Sequence, residues 1–161
     1  MPLIIIEKQG EATLLKGISP FLNPDVLRAL AAMGHGDVLI LSDVNFPADS
    51  IARQTTLGRL LSIDNIRAAD AAAAVLSLFP LDQYGEGAAG YMEGKPGNQL
   101  PVHREVQKAV DAAEGKPWPM TGIERFAFYD TAKAAYAVIR TGEGRAYGNF
   151  AFRKGVIVPK T

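Results

Sequence analysis

The chain is 161 residues long, 48% apolar and formally uncharged at neutral pH, with no cysteine and two histidines. That length suits one domain with a real core, the lack of any basic cluster longer than a pair excludes a nucleic-acid footprint, and the lack of cysteine excludes disulfides and thiolate metal sites. The early apolar run Leu3 to Ile6 is too short for a signal-peptide core or a membrane span, so a soluble, cytoplasmic protein without a membrane partner is expected.

Met1 to Thr13 reads as an N-terminal arm or an edge strand, ahead of a domain over residues 14–161. A helix is predicted from Asn23, which can cap it, with Pro24 at the first position, Asp25 complementing the dipole, and Val26, Leu27, Leu30 and Met33 on one face. Gly34 supplies its stop. Val38 to Leu41 is continuously apolar and β-branched in part, the pattern of a strand covered on both faces in a sheet with parallel pairs. Asp43 and the Asn45-Phe46-Pro47 turn then lie past a carboxyl end of the sheet, where open α/β sheets bind ligands.

The alanine-rich span around Asp70 to Phe79 is a predicted helix stopped by Pro80, and Val102, Val106, Ala109, Val110 and Ala113 mark another that Gly115 ends. His103 is expected to face solvent from that helix. Tyr84 to Pro101 is a glycine-rich loop with a short strand near Ala88 to Met92. Thr121 and Glu124 have capping-box spacing and start a helix through Phe126, Tyr129 and Lys133. Arg125 falls in its first turn, against the dipole, which singles it out for another task. Tyr136 to Arg140, the Thr141-Gly142-Glu143-Gly144 turn and Ala146 to Arg153 read as a terminal hairpin or strand pair.

Three groups carry candidate chemistry. His35, between Gly34 and Gly36, is an imidazole that ordinarily titrates near pH 6.5, as a general acid/base requires, while capping helix carbonyls is an equally open use. The flanking glycines are not a phosphate loop, because the helix precedes the strand. Asp43 can orient a ligand hydroxyl or the imidazole, or simply form a turn. Tyr147-Gly148-Asn149 joins a phenol, a flexible backbone and an amide, groups that hydrogen-bond sugar hydroxyls well, although Tyr147 can equally pack its ring in a strand. Phe126, Phe128, Tyr129 and Tyr136 are assigned to the core.

Taken in order, Leu15 to Pro20, Met33 to Asp37, Ser42 to Ala48, Leu78 to Asp82, Glu124 to Tyr129, Thr141 to Glu143 and Tyr147 to Asn149 resemble the L-fucose mutarotase and D-ribose pyranase family. The match runs from about Leu14 to Pro159, and Arg125 with the Phe-Ala-Phe-Tyr segment resembles the fucose branch. The resemblance implies one α/β domain, a mixed, largely parallel sheet with helices on both faces. It implies a ring-shaped homo-oligomer, pentamer or decamer, with sites between neighbouring subunits and no cofactor. By motif match, His35 corresponds to the proton donor, Asp43 and Arg125 to sugar-binding residues, and Tyr147 with Asn149 to the substrate-binding segment around Gly148. The expected activity is interconversion of the α and β anomers of L-fucose or a related monosaccharide by ring opening, with Tyr147 or a water as the second proton-transfer group. A non-catalytic sugar-binding or regulatory protein and a ribose pyranase-type isomerase are the alternatives. The family's Asp-Gly pair before its second helix is absent, and Asp64-Asn65 or Ala69-Asp70 must stand in.

Overall fold

A computed structural model describes residues 13–160; the expected arm lies outside them save for Thr13. Asn23 caps α1 (Pro24–Ala32) as expected, its Oδ1 accepting the Val26 N–H at 3.0 Å. Val26, Leu30 and Met33 are buried, and Leu27 packs at the margin. The helix stop differs from the expectation. Met33 leaves the helix with extended dihedrals, Gly34 donates its N–H to the Asp37 carboxylate at 2.8 Å, and the left-handed residue is Gly36, at φ +88°. The Lys154 ammonium donates to the free carbonyls of Leu30 and Met33, so the helix end is capped by lysine and His35 is released from that use.

The chain continues through β1 (Val38–Ser42), α2 (Ala48–Ala52), β2 (Leu61–Ser62), α3 (Ala68–Leu76), β3 (Ala89–Met92) and α4 (Pro101–Glu114). It ends with β4 (Thr121–Ile123), α5 (Arg125–Lys133), β5 (Ala137–Arg140) and β6 (Phe150–Arg153). One six-stranded mixed sheet has the order β2-β5-β1-β6-β3-β4, in which β6 runs against both neighbours while the other pairings are parallel. Alternation along β1 divides the core: Leu39 and Leu41 face a cluster with α1, α3 and α4, and Ile40 faces a second with α2 and α5. The sheet is therefore covered by helices on both faces.

The expected terminal hairpin does not form. β5 pairs parallel with β1 on one side and β6 antiparallel on the other, so the most apolar strand sits between them. The segment joining β5 to β6 makes its hydrogen bonds to Asp43 and to α4 instead of closing a tight turn. The helix at Arg125 is capped by Glu124, whose carboxylate accepts the Phe126 and Ala127 N–H groups at 3.0 Å each, while Thr121 lies in β4. Thr121 and Glu124 therefore do not form the expected capping box.

Asn65 adopts the left-handed conformation at φ +63°, so Asp64-Asn65 supplies the backbone shape that an Asp-Gly pair would give. Gly142 packs directly against that turn, donating to the Ile66 carbonyl at 2.8 Å, and a Cβ there would meet Asn65 Cα and Ile66 N at 2.9 Å. Because both obstructions are backbone, Gly142→Ala is expected to cost about 1–3 kcal/mol, read as a lowered midpoint in thermal or urea unfolding.

Candidate active site

At the carboxyl end of β1, the chain turns at Asp43, which is 2% exposed. Its Oδ1 accepts the N–H groups of Asn45 at 3.0 Å and Phe46 at 2.8 Å, and its Oδ2 accepts Gly148 N–H and Asn149 Nδ2–H, both at 3.1 Å. The Asn149 amide oxygen in turn accepts the Asp43 N–H at 2.9 Å. Four donors thus occupy the four lone-pair positions of one carboxylate, tying the loop after β1 to the segment before β6. Burial pushes the Asp43 carboxyl above its usual range, against the pull of those N–H groups.

Tyr147, Gly148 and Asn149 lie in the connection entering β6, not on the expected strand. Tyr147 holds a left-handed backbone at φ +61°, uncommon for an aromatic side chain. Gly148 is fixed by space: a Cβ would lie 2.8 Å from Glu143 Cγ and 3.3 Å from Asp43 Cβ. Glu143 is itself buried; its carboxylate accepts from the Ala68 N–H at the start of α3 and from the Arg145 guanidinium, which also reaches Glu105 on α4.

His103 corrects the expectation that it faces solvent: it is fully buried between Tyr91 and Phe150, with ring centroids 4.4 and 5.9 Å away. Its Nδ1 accepts the Leu100 N–H at 3.0 Å, so the proton resides on Nε2, which donates to the Tyr147 carbonyl at 2.8 Å. Burial holds the imidazole below its ordinary pKa and keeps it neutral.

A pocket of about 240 Å³ opens over these residues, lined by Asp43, Asn45, Phe46, Met92, Arg125, Tyr129, Ala146, Tyr147 and Asn149. That is smaller than the roughly 300–1,000 Å³ typical of drug-sized ligands and suits a single small polar molecule. Arg125, exposed in the first turn of α5, sends its Nε–H to the Tyr129 hydroxyl at 3.3 Å, and its guanidinium lies 5.7 Å from the Tyr129 ring. Tyr129 stacks on Phe46, so the arginine is carried on an aromatic wall. Of the four aromatics expected in the core, Phe128 is fully buried, Tyr136 packs partly buried against the larger cluster, Tyr129 lines this pocket and Phe126 is 67% exposed.

His35 lies at the opposite end of β1. A five-residue strand spans about 17 Å, so one chain does not bring His35 to Asp43, Arg125 and Tyr147. His35 Nε2 pairs with Asp82 Oδ1 at 3.1 Å, and its ring meets the Tyr84 ring edge-on at 5.8 Å. Asp82 also accepts the Tyr84 N–H at 3.0 Å and Arg153 Nε–H at 2.9 Å, and these bonds pull its pKa down to about 2. An ionised Asp82 accepts a hydrogen bond from the Nε2–H of His35 and leaves Nδ1 free at a half-exposed ring. The adjacent cavity, about 610 Å³, is walled by Leu27, Leu30, Leu78, Val156 and Ile157. Asp82 and Glu143 lay within the segments that carry the resemblance but were given no role, and His103 was expected to face solvent; the one local signal for Asp82 was its place two residues before Tyr84, the spacing of a side-chain turn.

Among the described residues, no group of three metal-ligating side chains converges, and no helix is long and apolar enough to cross a membrane. The model of the RbsD / FucU transport protein family matches residues 16–157. An L-fucose mutarotase of Actinobacillus pleuropneumoniae serotype 5b is 42% identical over 145 residues, covering 89% of this chain and 97% of that relative. Protein Atu2016 has a crystal structure that superposes with a TM-score of 0.87 at 58% identity, covering 93% of this chain and 99% of the other. The fucose mutarotase of Streptococcus pneumoniae, solved in complex with L-fucose, superposes with a TM-score of 0.79 at 32% identity over 89% of this chain and all of the other. With the fold, the motif order and nearly the whole length in agreement, the chain belongs to the RbsD / FucU family.

Proposed function

We propose that this chain is a cofactor-independent isomerase that interconverts the α and β anomers of L-fucose or a closely related monosaccharide. The observation that carries the reading is the small pocket beyond β1, where a guanidinium, a phenol and an amide converge above an apolar wall of Phe46 and Met92. The similarity to mutarotases, one solved with L-fucose, supports the choice of sugar. Arg125 and Asn149 hold hydroxyls, and Asp43, its acceptors already engaged, fixes Gly148 and Asn149 in place.

Anomer exchange places a proton on the ring oxygen while the anomeric hydroxyl loses one; the C–O bond opens, the aldehyde rotates, and closure reverses both transfers. In this reading residues 14–161 form the catalytic domain. The chain assembles in the cytoplasm as a ring-shaped pentamer or decamer, and His35 of one subunit enters the pocket of the next. Two observations support sharing the site: the strand length separating His35 from the pocket, and the half-exposed imidazole held ready by Asp82. As the imidazolium, with its Nε2–H held by Asp82, His35 gives its Nδ1 proton to the ring oxygen, while Tyr147, or a water it holds, accepts the hydroxyl proton and passes its own to solvent; closure reverses both transfers. A positioned acid/base pair of this kind supplies about 10²- to 10⁴-fold.

Saturation-transfer NMR on L-fucose at anomeric equilibrium, with galactose and ribose as comparison sugars, tests the reading. Transfer between the α and β signals that is selective for L-fucose is the expected result. Transfer on ribose alone would make the chain a pyranase-type isomerase, and binding without transfer on any sugar would make it a sugar-binding protein.

A further inference from the structure

Tyr147 carries an aromatic side chain on a left-handed backbone, a conformation that persists where neighbours impose it. Gly148, the next residue, is held from the β1 side by Asp43. On the opposite side, the Tyr147 carbonyl receives one donor from α4, the Nε2–H of His103 at 2.8 Å. His103 is rigid in turn: its Nδ1 is engaged by the Leu100 N–H, its ring is gripped by Tyr91 and Phe150, and it is fully buried. A group with that much constraint fixes both the height and the rotation of the peptide it binds. It also lies at the first turn of a fourteen-residue helix anchored in the main core, so the constraint is referred to the scaffold and not to another loop.

We propose that His103 is a positioning residue of the active site, holding the Tyr147 peptide in its left-handed turn so that the phenol is presented to the sugar. The assignment rests on the placement of Tyr147 in that site. His103 touches no substrate; it acts through Tyr147. Any other side chain that donates to the carbonyl from the same place serves, and one that fills the space without donating does not.

A double-mutant cycle of His103→Leu and Tyr147→Phe, read as anomer exchange on L-fucose by the intact oligomer, separates positioning from general stability. His103→Leu keeps the volume and deletes the donor; it is expected to lower exchange by roughly 10- to 100-fold, the cost of a misplaced reacting group, through the turnover rate more than through the sugar concentration needed. In the Tyr147→Phe background the same replacement is expected to change exchange less than twofold, because the phenol it aims is gone. His103→Gln, which can still donate, is expected to restore most of the activity. An equal loss in both backgrounds, or normal exchange by folded His103→Leu beside an impaired Tyr147→Phe, overturns the proposal alone. Full exchange by Tyr147→Phe overturns the placement of Tyr147 and the proposal with it. Should His103→Leu fail to fold, nitrogen NMR of the imidazole in the unaltered protein decides: a neutral ring protonated on Nε2 that responds to saturating L-fucose is expected, and an Nδ1-protonated ring overturns the assignment.

Discussion

Replacing His35 with Ala is expected to lower anomer exchange by about 10²- to 10⁴-fold while leaving the unfolding midpoint and the oligomer unchanged. The side chain is half-exposed, its one polar partner among the described residues is Asp82, and the helix end beside it is capped by Lys154, so no core contact among them depends on the imidazole. Asp82 keeps its bonds to Arg153 and Tyr84 in the variant. The same substitution decides whether the site is shared. Arg125→Ala removes the guanidinium from the pocket and leaves His35 intact. Co-refolding equal amounts of the two inactive variants then pairs a whole pocket with a whole histidine in about a quarter of the interfaces, if the site is built from neighbouring subunits. Exchange should return to that extent. If pocket and histidine act within one subunit, every site carries one of the two lesions and mixing restores nothing.

Much of this arrangement was legible in the sequence, because it rests on local rules. Asn23-Pro24 fixes the start of α1, Gly115 at φ +71° ends α4, and the apolar run from Val38 becomes a strand buried on both faces, with Asp43 just beyond it. What was missed depends on partners distant in sequence. The hairpin rule favours pairing β5 with β6, yet β1, about a hundred residues earlier, offers each a better apolar edge and separates them. His103 lies on an amphipathic helix, where period alone cannot tell a solvent-facing polar residue from one inserted between Tyr91 and Phe150 to reach a carbonyl 44 residues on. Likewise β2, β4 and α2, of two, three and five residues, are too short to leave a periodic trace. The separation of His35 from the pocket follows from strand length once β1 is placed, but the motif match alone assigned both to one site.

Asp43→Asn is expected to be the most damaging single change at the pocket, affecting stability and exchange together. The carboxylate satisfies four N–H groups, three of them backbone, and an amide of the same shape turns one acceptor oxygen into a donor aimed at those hydrogens. Whichever way the amide is placed, the two N–H groups served by that oxygen lose their partner. At about 1–3 kcal/mol for each buried group left unpaired, partly relieved by water at the pocket mouth, a loss of about 2–4 kcal/mol in urea unfolding is expected. If the amide nitrogen faces Gly148 and Asn149, the segment that carries Tyr147 is released as well, and exchange should fall by 100-fold or more. If it faces Asn45 and Phe46, the loop after β1 loosens while the sugar-facing segment stays held, and stability falls further than exchange. Measuring both on the same variant therefore reports which half of the clamp matters for turnover. A variant with native stability and full exchange would show that the Asp43 carboxylate is dispensable, and that the Tyr147-Gly148-Asn149 segment is held well enough by His103 on the Tyr147 carbonyl, the Met92 N–H on the Asn149 carbonyl and the residue-43 backbone N–H on the Asn149 amide oxygen.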